Sequence, residues 1–159
     1  MLKRPVVLSG VLVALCVALS GLYFPVGPTK VYPFQHMVNA IAGVLLGPWW
    51  AALIATLAAV IRNLLGVGTI FAFPGGIPGA LVVGLLYRWI KRDWVAFLEP
   101  LGTGLIGATL SAWLVVPYVS TKIGWLALTV AFLSSSVPGS ALGFVVIKII
   151  RKGGVFKDG

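Results

Sequence analysis

Six apolar runs, parted only by short proline, glycine or basic segments, take up almost the whole chain. About 20 apolar residues in helical form span the hydrocarbon layer of a bilayer, so 159 residues divide into six short spans with almost nothing left over for a soluble domain. Charged residues are only 9% of the chain and the mean hydropathy is +1.08, far outside the range of a water-soluble domain. The expected architecture is an all-α integral membrane protein, a single domain over 1–159 built as a six-transmembrane-helix bundle. The spans fall near 5–24, 34–46, 49–65, 70–89, 98–116 and 123–150. The second, thirteen residues long, rises only about 20 Å, so it is expected to be short and locally buried or to start inside a cavity.

The net charge of +9 would point to nucleic acid in a soluble protein. Here the cations sit at the ends of apolar runs, and topology accounts for them. With six spans and the N-terminus inside, Lys3, Arg4, Arg88, Lys91, Arg92, Lys148, Arg151, Lys152 and Lys157 fall on one side, and only Lys30, Arg62 and Lys122 on the other. By the positive-inside rule both termini are cytoplasmic, and no nucleic-acid partner is expected. Lys3 and Arg4 ahead of a run ending near Ala18-Leu19-Ser20 also have the form of a signal peptide. The continuation of that run to Phe24, and the membrane-like sequence beyond, favour a first span.

One stretch stands apart, Tyr23 to Trp50, YFPVGPTKVYPFQHMVNAIAGVLLGPWW. It gathers prolines, a lysine, the only histidine, a glutamine and an asparagine. Polar side chains are costly in hydrocarbon unless they face an aqueous cavity, a partner or a ligand. On a helix starting near Phe34, Gln35 and Asn39 are four apart and His36 and Asn39 three apart, so all three share adjacent parts of one face. They form either a pocket for a small uncharged polar ligand or a cap at headgroup level. Arg62 at a span end is expected to snorkel to the interface, while its neighbour Asn63 could still reach the pocket. Of the aromatics assigned to the outer half (Tyr32, Phe34, Phe71, Phe73, Trp113, Tyr118 and Trp125), most fit an interfacial belt. Tyr32, Trp113 and Trp125 are best placed to stack on a flat ligand.

Small residues recur every fourth place at Gly10, Ala14 and Ala18, and again at Ala51, Ala55 and Ala59. Either stripe serves close helix packing within the bundle or contact with a partner helix. The segment FAFPGGIPG, with Pro74, Gly75, Gly76, Pro78 and Gly79, is expected to break or kink the fourth span and free backbone groups toward a cavity. Ser134, Ser135 and Ser136 lie deeper, where bonding to the i−4 carbonyl is the ordinary role.

The only carboxylates, Asp93, Glu99 and Asp158, are all expected at the cytoplasmic side. No acid is then available inside the membrane for ion coupling or for a metal centre. One histidine and one cysteine, Cys16, cannot build a metal site, and Cys16 reads as packing. No GxxxxGK[ST] loop is present, so the chain does not itself hydrolyse ATP. No cofactor and no enzymatic activity are expected; a small intramembrane enzyme would have to be built on His36 and a serine, with no acid nearby in sequence. A purely structural subunit would not need polar groups at the outer ends of three spans.

The runs GPTKVYPFQHMVNAIAGVLLGPWWA and IRNLLGVGTIFAFPGGIPGAL resemble the ThiW family, substrate-binding S components of energy-coupling factor transporters assigned to the thiazole precursor of thiamine. The resemblance covers Gly10 to the fifth span. It implies a six-helix fold with the ligand near the outer face beneath the first loop, and as partners a transmembrane coupling subunit, two cytoplasmic ATPases and the lipid bilayer. Ala14 and Ala18 match the AxxxA motif by which S components contact the coupling subunit. The implied ligand is hydroxyethylthiazole; the candidates to bind it, from the reading of the residues above, are Tyr32, Gln35, His36, Asn39, Asn63, Trp113 and Trp125, with the Pro25 to Pro33 loop expected as a lid. With no buried acid expected, a cationic ligand such as thiamine is disfavoured. A thiazole phosphate would want Lys30 and Arg62 together.

Overall fold

The computed structural model describes residues 5–26, 29–119 and 123–154. Lys3, Arg4, Lys122, Lys157 and Asp158, which entered the charge count and the inventory of acids, lie outside the described residues. The first helix, α1 (Pro5–Ala18), tightens into a 3-10 turn at Leu19–Gly21. Two short strands follow, β1 (Phe24–Val26) and β2 (Thr29–Val31), paired antiparallel with Pro25 opposite Lys30. The expected lid loop is thus a β-hairpin, the one departure from an all-α chain among the described residues.

Helix α2 (Pro33–Leu46) is the central post. Every residue from Gln35 to Val44 is buried, and a helix enclosed all round needs no amphipathic stripe and need not span the membrane by itself. The turn after it is set by Gly47, whose φ of +86° is a region that favours glycine, and by Pro48, which opens α3 (Pro48–Leu64). Beyond α3, the Arg62 carbonyl accepts from both Val67 N and Gly68 N, and Gly66 takes a φ of +73°.

Helix α4 (Ala72–Ile90) corrects the expectation of a broken span: it is continuous through Pro74, Gly75, Gly76, Pro78 and Gly79. Pro74 is the third residue of the helix, where the N–H has no intrahelical partner, so only Pro78 removes a bond. The carbonyl it strands, that of Pro74, faces the fifth span at Gly107, where a Cβ would come within 2.5 Å.

The fifth span begins earlier than 98. It runs as one 26-residue unit, Asp93–Tyr118: a 3-10 segment (Asp93–Leu98), a π-helical segment (Leu101–Gly107), α5 (Ala108–Leu114) and a last 3-10 turn (Val116–Tyr118). Val95 and Ala96 are already fully buried, so the chain has entered the bundle before it reaches Glu99. Helix α6 (Trp125–Lys152) closes the fold. Its Gly139 and Gly143 meet the backbone of α2 at Pro33 and Met37 and the Cβ atoms of His36 and Ala40, and the two helices run in the same direction.

Among the described residues, α4, the fifth span and α6 are long and apolar enough to cross a membrane, while Pro5–Gly21 and α3 are shorter apolar helices. Arg88, Lys91, Arg92, Lys148, Arg151 and Lys152 gather at the end away from the hairpin, where Asp93 pairs with Lys148 at 3.0 Å and Arg151 at 2.9 Å. The two alanine stripes part company. Ala51, Ala55 and Ala59 are buried in the bundle, whereas Gly10, Ala14 and Ala18 face outward along a groove completed by Trp50, Leu53 and Leu57 of α3.

Candidate functional site

The face of α2 that carries Gln35, His36 and Asn39 is buried against α4, and glycines on α4 make the room. A Cβ at Gly76 would overlap Gln35 Nε2, and one at Gly79 would overlap Glu99 Oε1 and Thr103 Oγ1. The glycine-rich run of the fourth span is therefore a slot for polar side chains. Through it Asn39 Nδ2 donates to the Gly76 carbonyl at 3.0 Å and to Glu99 Oε1 at 3.1 Å.

Glu99 corrects the sequence reading most sharply. Expected at the cytoplasmic side, it is 0% exposed, with Oε1 2.8 Å from His36 Nδ1 and accepting from Thr103 Oγ1 at 2.8 Å. An isolated acid would not be tolerated there; three polar neighbours on one oxygen offset its desolvation. An acid does stand inside the bundle, and the argument against a cationic ligand loses its ground.

Arg62 is the second correction. It does not snorkel: it is 1% exposed, its Nη1 donates to Gln35 Oε1, and its guanidinium lies 4.1 Å over the Tyr32 ring. Arginine tolerates such a place because its weakly hydrated planar cation can be met by an aromatic face and an amide oxygen together. Tyr32 is fixed at three points. Its N donates to Ser135 Oγ at 2.8 Å, its hydroxyl donates to the Val67 carbonyl at 2.7 Å, and its ring lies 5.9 Å from that of Tyr23. Exposed Lys30 sits 4.4 Å over Tyr23, so each cation is held by its own tyrosine and the structure gives no contact between Lys30 and Arg62.

Tyr32, Gln35, His36, Asn39 and Arg62 are thus brought together, and Glu99, Thr103 and Ser135 join them. Asn63 stays apart, its Nδ2 donating to the Ala59 and Thr69 carbonyls at 2.8 and 3.1 Å, where it closes the loop between α3 and α4. Trp113 is 77% exposed, and Trp125 is 46% exposed with its indole N–H donating to Thr109 Oγ1, so neither is enclosed with the buried cluster. One signal could have found Glu99: Thr103 follows it by four residues, the helical spacing of a hydroxyl that satisfies a carboxyl within the same span.

Several buried polar atoms have no hydrogen-bond partner among the described residues, notably Glu99 Oε2, Arg62 Nε, Arg62 Nη2 and Ser136 Oγ. The cluster therefore offers both free donors and a free carboxyl oxygen to a small polar molecule. Of the hydroxyls near His36 and Glu99, Thr103 Oγ1 donates to Glu99 Oε1 and Ser135 Oγ accepts from Tyr32 N. Among the described residues no three His, Cys, Asp or Glu side chains could hold a metal ion.

A family model described as thiamine-precursor transporter protein (ThiW) matches residues 6–153, nearly the whole chain. No curated protein matches the chain.

Proposed function

Because this chain belongs to the ThiW family of thiamine-precursor transporter proteins, we propose that it is the substrate-binding subunit for ATP-driven uptake of hydroxyethylthiazole. In this reading six segments cross a prokaryotic plasma membrane, both termini are cytoplasmic, and the hairpin end faces outside. The observation that carries the ligand reading is a buried polar seam of two bonded pairs, Arg62–Gln35 and Asn39–Glu99, with Gln35 and Asn39 one turn apart on α2. A thiazole with one ring nitrogen and one hydroxyl needs a donor and an acceptor, and the seam has unpaired atoms of both kinds.

The hairpin of β1 and β2 acts as the lid, with Tyr32 as its hinge-side anchor, so that opening exposes the Arg62 end of the seam. Energy comes from partners: a transmembrane coupling subunit and two cytoplasmic ATPases. The outward stripe Gly10, Ala14 and Ala18 supports a docking face for the coupling subunit, since all three are exposed among the described residues.

Calorimetric titration of the purified protein with hydroxyethylthiazole, thiamine and thiazole phosphate tests the ligand. Tight one-to-one binding of hydroxyethylthiazole alone is the expected result, and absence of binding would return the ligand to unknown. Glu99 gives thiamine a second reading, because a buried acid is the group a cationic ligand would seek. Tighter binding of thiamine than of the neutral thiazole would establish it.

A further inference from the structure

The two oxygens of Glu99 are used unequally. Oε1 receives Asn39 Nδ2 and Thr103 Oγ1 and lies against His36 Nδ1, while Oε2 is buried with no hydrogen-bond partner among the described residues. A carboxyl oxygen cut off from water and left unpaired is costly, whereas three groups holding its twin fix the direction in which it is presented. Asn39, Thr103 and His36 already surround the other oxygen, and a hydroxyl, small and able to donate one hydrogen bond, suits the remaining one. We propose that Glu99 Oε2 accepts the hydrogen bond of the ligand's hydroxyl, making Glu99 the residue that selects a hydroxyalkyl side chain. His36, Asn39 and Thr103 are positioning residues that aim it. This assignment rests on the thiazole reading and adds to it the group by which hydroxyethylthiazole is told from a ring of the same shape that cannot donate.

The test pairs a change in the ligand with a change in the protein. Hydroxyethylthiazole and its methyl ether, which accepts but cannot donate, are titrated calorimetrically into the full chain and into Glu99→Gln, which puts an amide in place of the carboxyl group. The wild type is expected to favour the hydroxyl compound by about 10- to 100-fold, the effect of leaving one buried acceptor unpaired, and Glu99→Gln to shrink that ratio below about threefold. An equal ratio in both proteins, or no preference in the wild type, overturns the role of Glu99 while the thiazole reading stands. If the wild type binds neither compound, the thiazole reading fails and the inference falls with it. Should Glu99→Gln not give monodisperse protein, Glu99→Asp withdraws the same two oxygens by one methylene. It is then expected to cut the hydroxyl preference by about tenfold, and an undiminished preference overturns the proposal.

Discussion

Glu99 and His36 are 63 residues apart in sequence and 2.8 Å apart in the fold, the carboxyl oxygen of one against Nδ1 of the other. The contact ties the fifth span to α2 in the interior, where neither side chain has water to turn to. Removing one partner strands the other. His36→Ala and Glu99→Ala are each expected to lower stability by about 3–5 kcal/mol, whereas Glu99→Gln, which keeps hydrogen-bonding capacity, should cost less. Thermal unfolding in a fixed detergent measures the order, and equal losses for Glu99→Ala and Glu99→Gln would contradict it.

Gly79 admits that pair. Its missing side chain is the space filled by Glu99 Oε1 and Thr103 Oγ1, so Gly79→Ala forces the carboxyl group away from Asn39 and His36. A loss of about 1–3 kcal/mol is expected, although alanine is the better helix former. Gly10→Ala is the control: its Cβ would meet nothing within 4 Å, and stability should hold or rise slightly. Parallel unfolding curves for the two variants decide the point.

Much of the architecture was legible because the signals are local. Pro48 opens a helix and Gly47 turns the chain. What misled was reading polar residues by their neighbours in sequence. Glu99 follows a basic loop and precedes a proline, which looks like a cytoplasmic edge, yet the 3-10 segment before it has already carried the chain inside. Arg62 sits at a span end, but the partners that keep it buried, Gln35 and Tyr32, come from 27 and 30 positions away. The glycines of α4 read as a break by propensity, which cannot see that Gln35 and Glu99 need the room. Gln35, His36 and Asn39 share one buried side of α2, and that much is written in helical spacing.

Arg62 should resist conservative replacement. Its guanidinium meets Gln35 with one nitrogen and Tyr32 with its face, a pairing that a lysine ammonium cannot reproduce. Arg62→Lys is expected to weaken ligand binding by about 10-fold or more, the loss of one charge-assisted hydrogen bond, and to lower stability as well. Calorimetry on the purified variant reads the first, and wild-type affinity would place Arg62 outside the binding seam.

Tyr32 links the hairpin to the loop after α3 through its hydroxyl on the Val67 carbonyl. Tyr32→Phe keeps the ring over which Arg62 lies and removes only that tie, about 1 kcal/mol. If the hairpin is the lid, the variant should release ligand faster by about fivefold while its association rate changes less. Stopped-flow displacement separates the two rates, and an unchanged release rate would leave the hairpin without a gating role.

The outward face of α1 makes the last prediction, because it separates folding from coupling. Ala14 and Ala18 are exposed, so Ala14→Leu and Ala18→Leu should change stability by no more than about 0.5 kcal/mol and leave ligand binding intact. The same change at buried Ala55 overfills the core and should cost about 1–3 kcal/mol. A partner helix that approaches closely along the groove of Gly10, Ala14 and Ala18 would be pushed away by a leucine there. The α1 variants are therefore expected to bind hydroxyethylthiazole normally in detergent yet to lose uptake in cells that express the energising partners. Full uptake by both variants would remove α1 as the docking face and leave the stripe to the lipid.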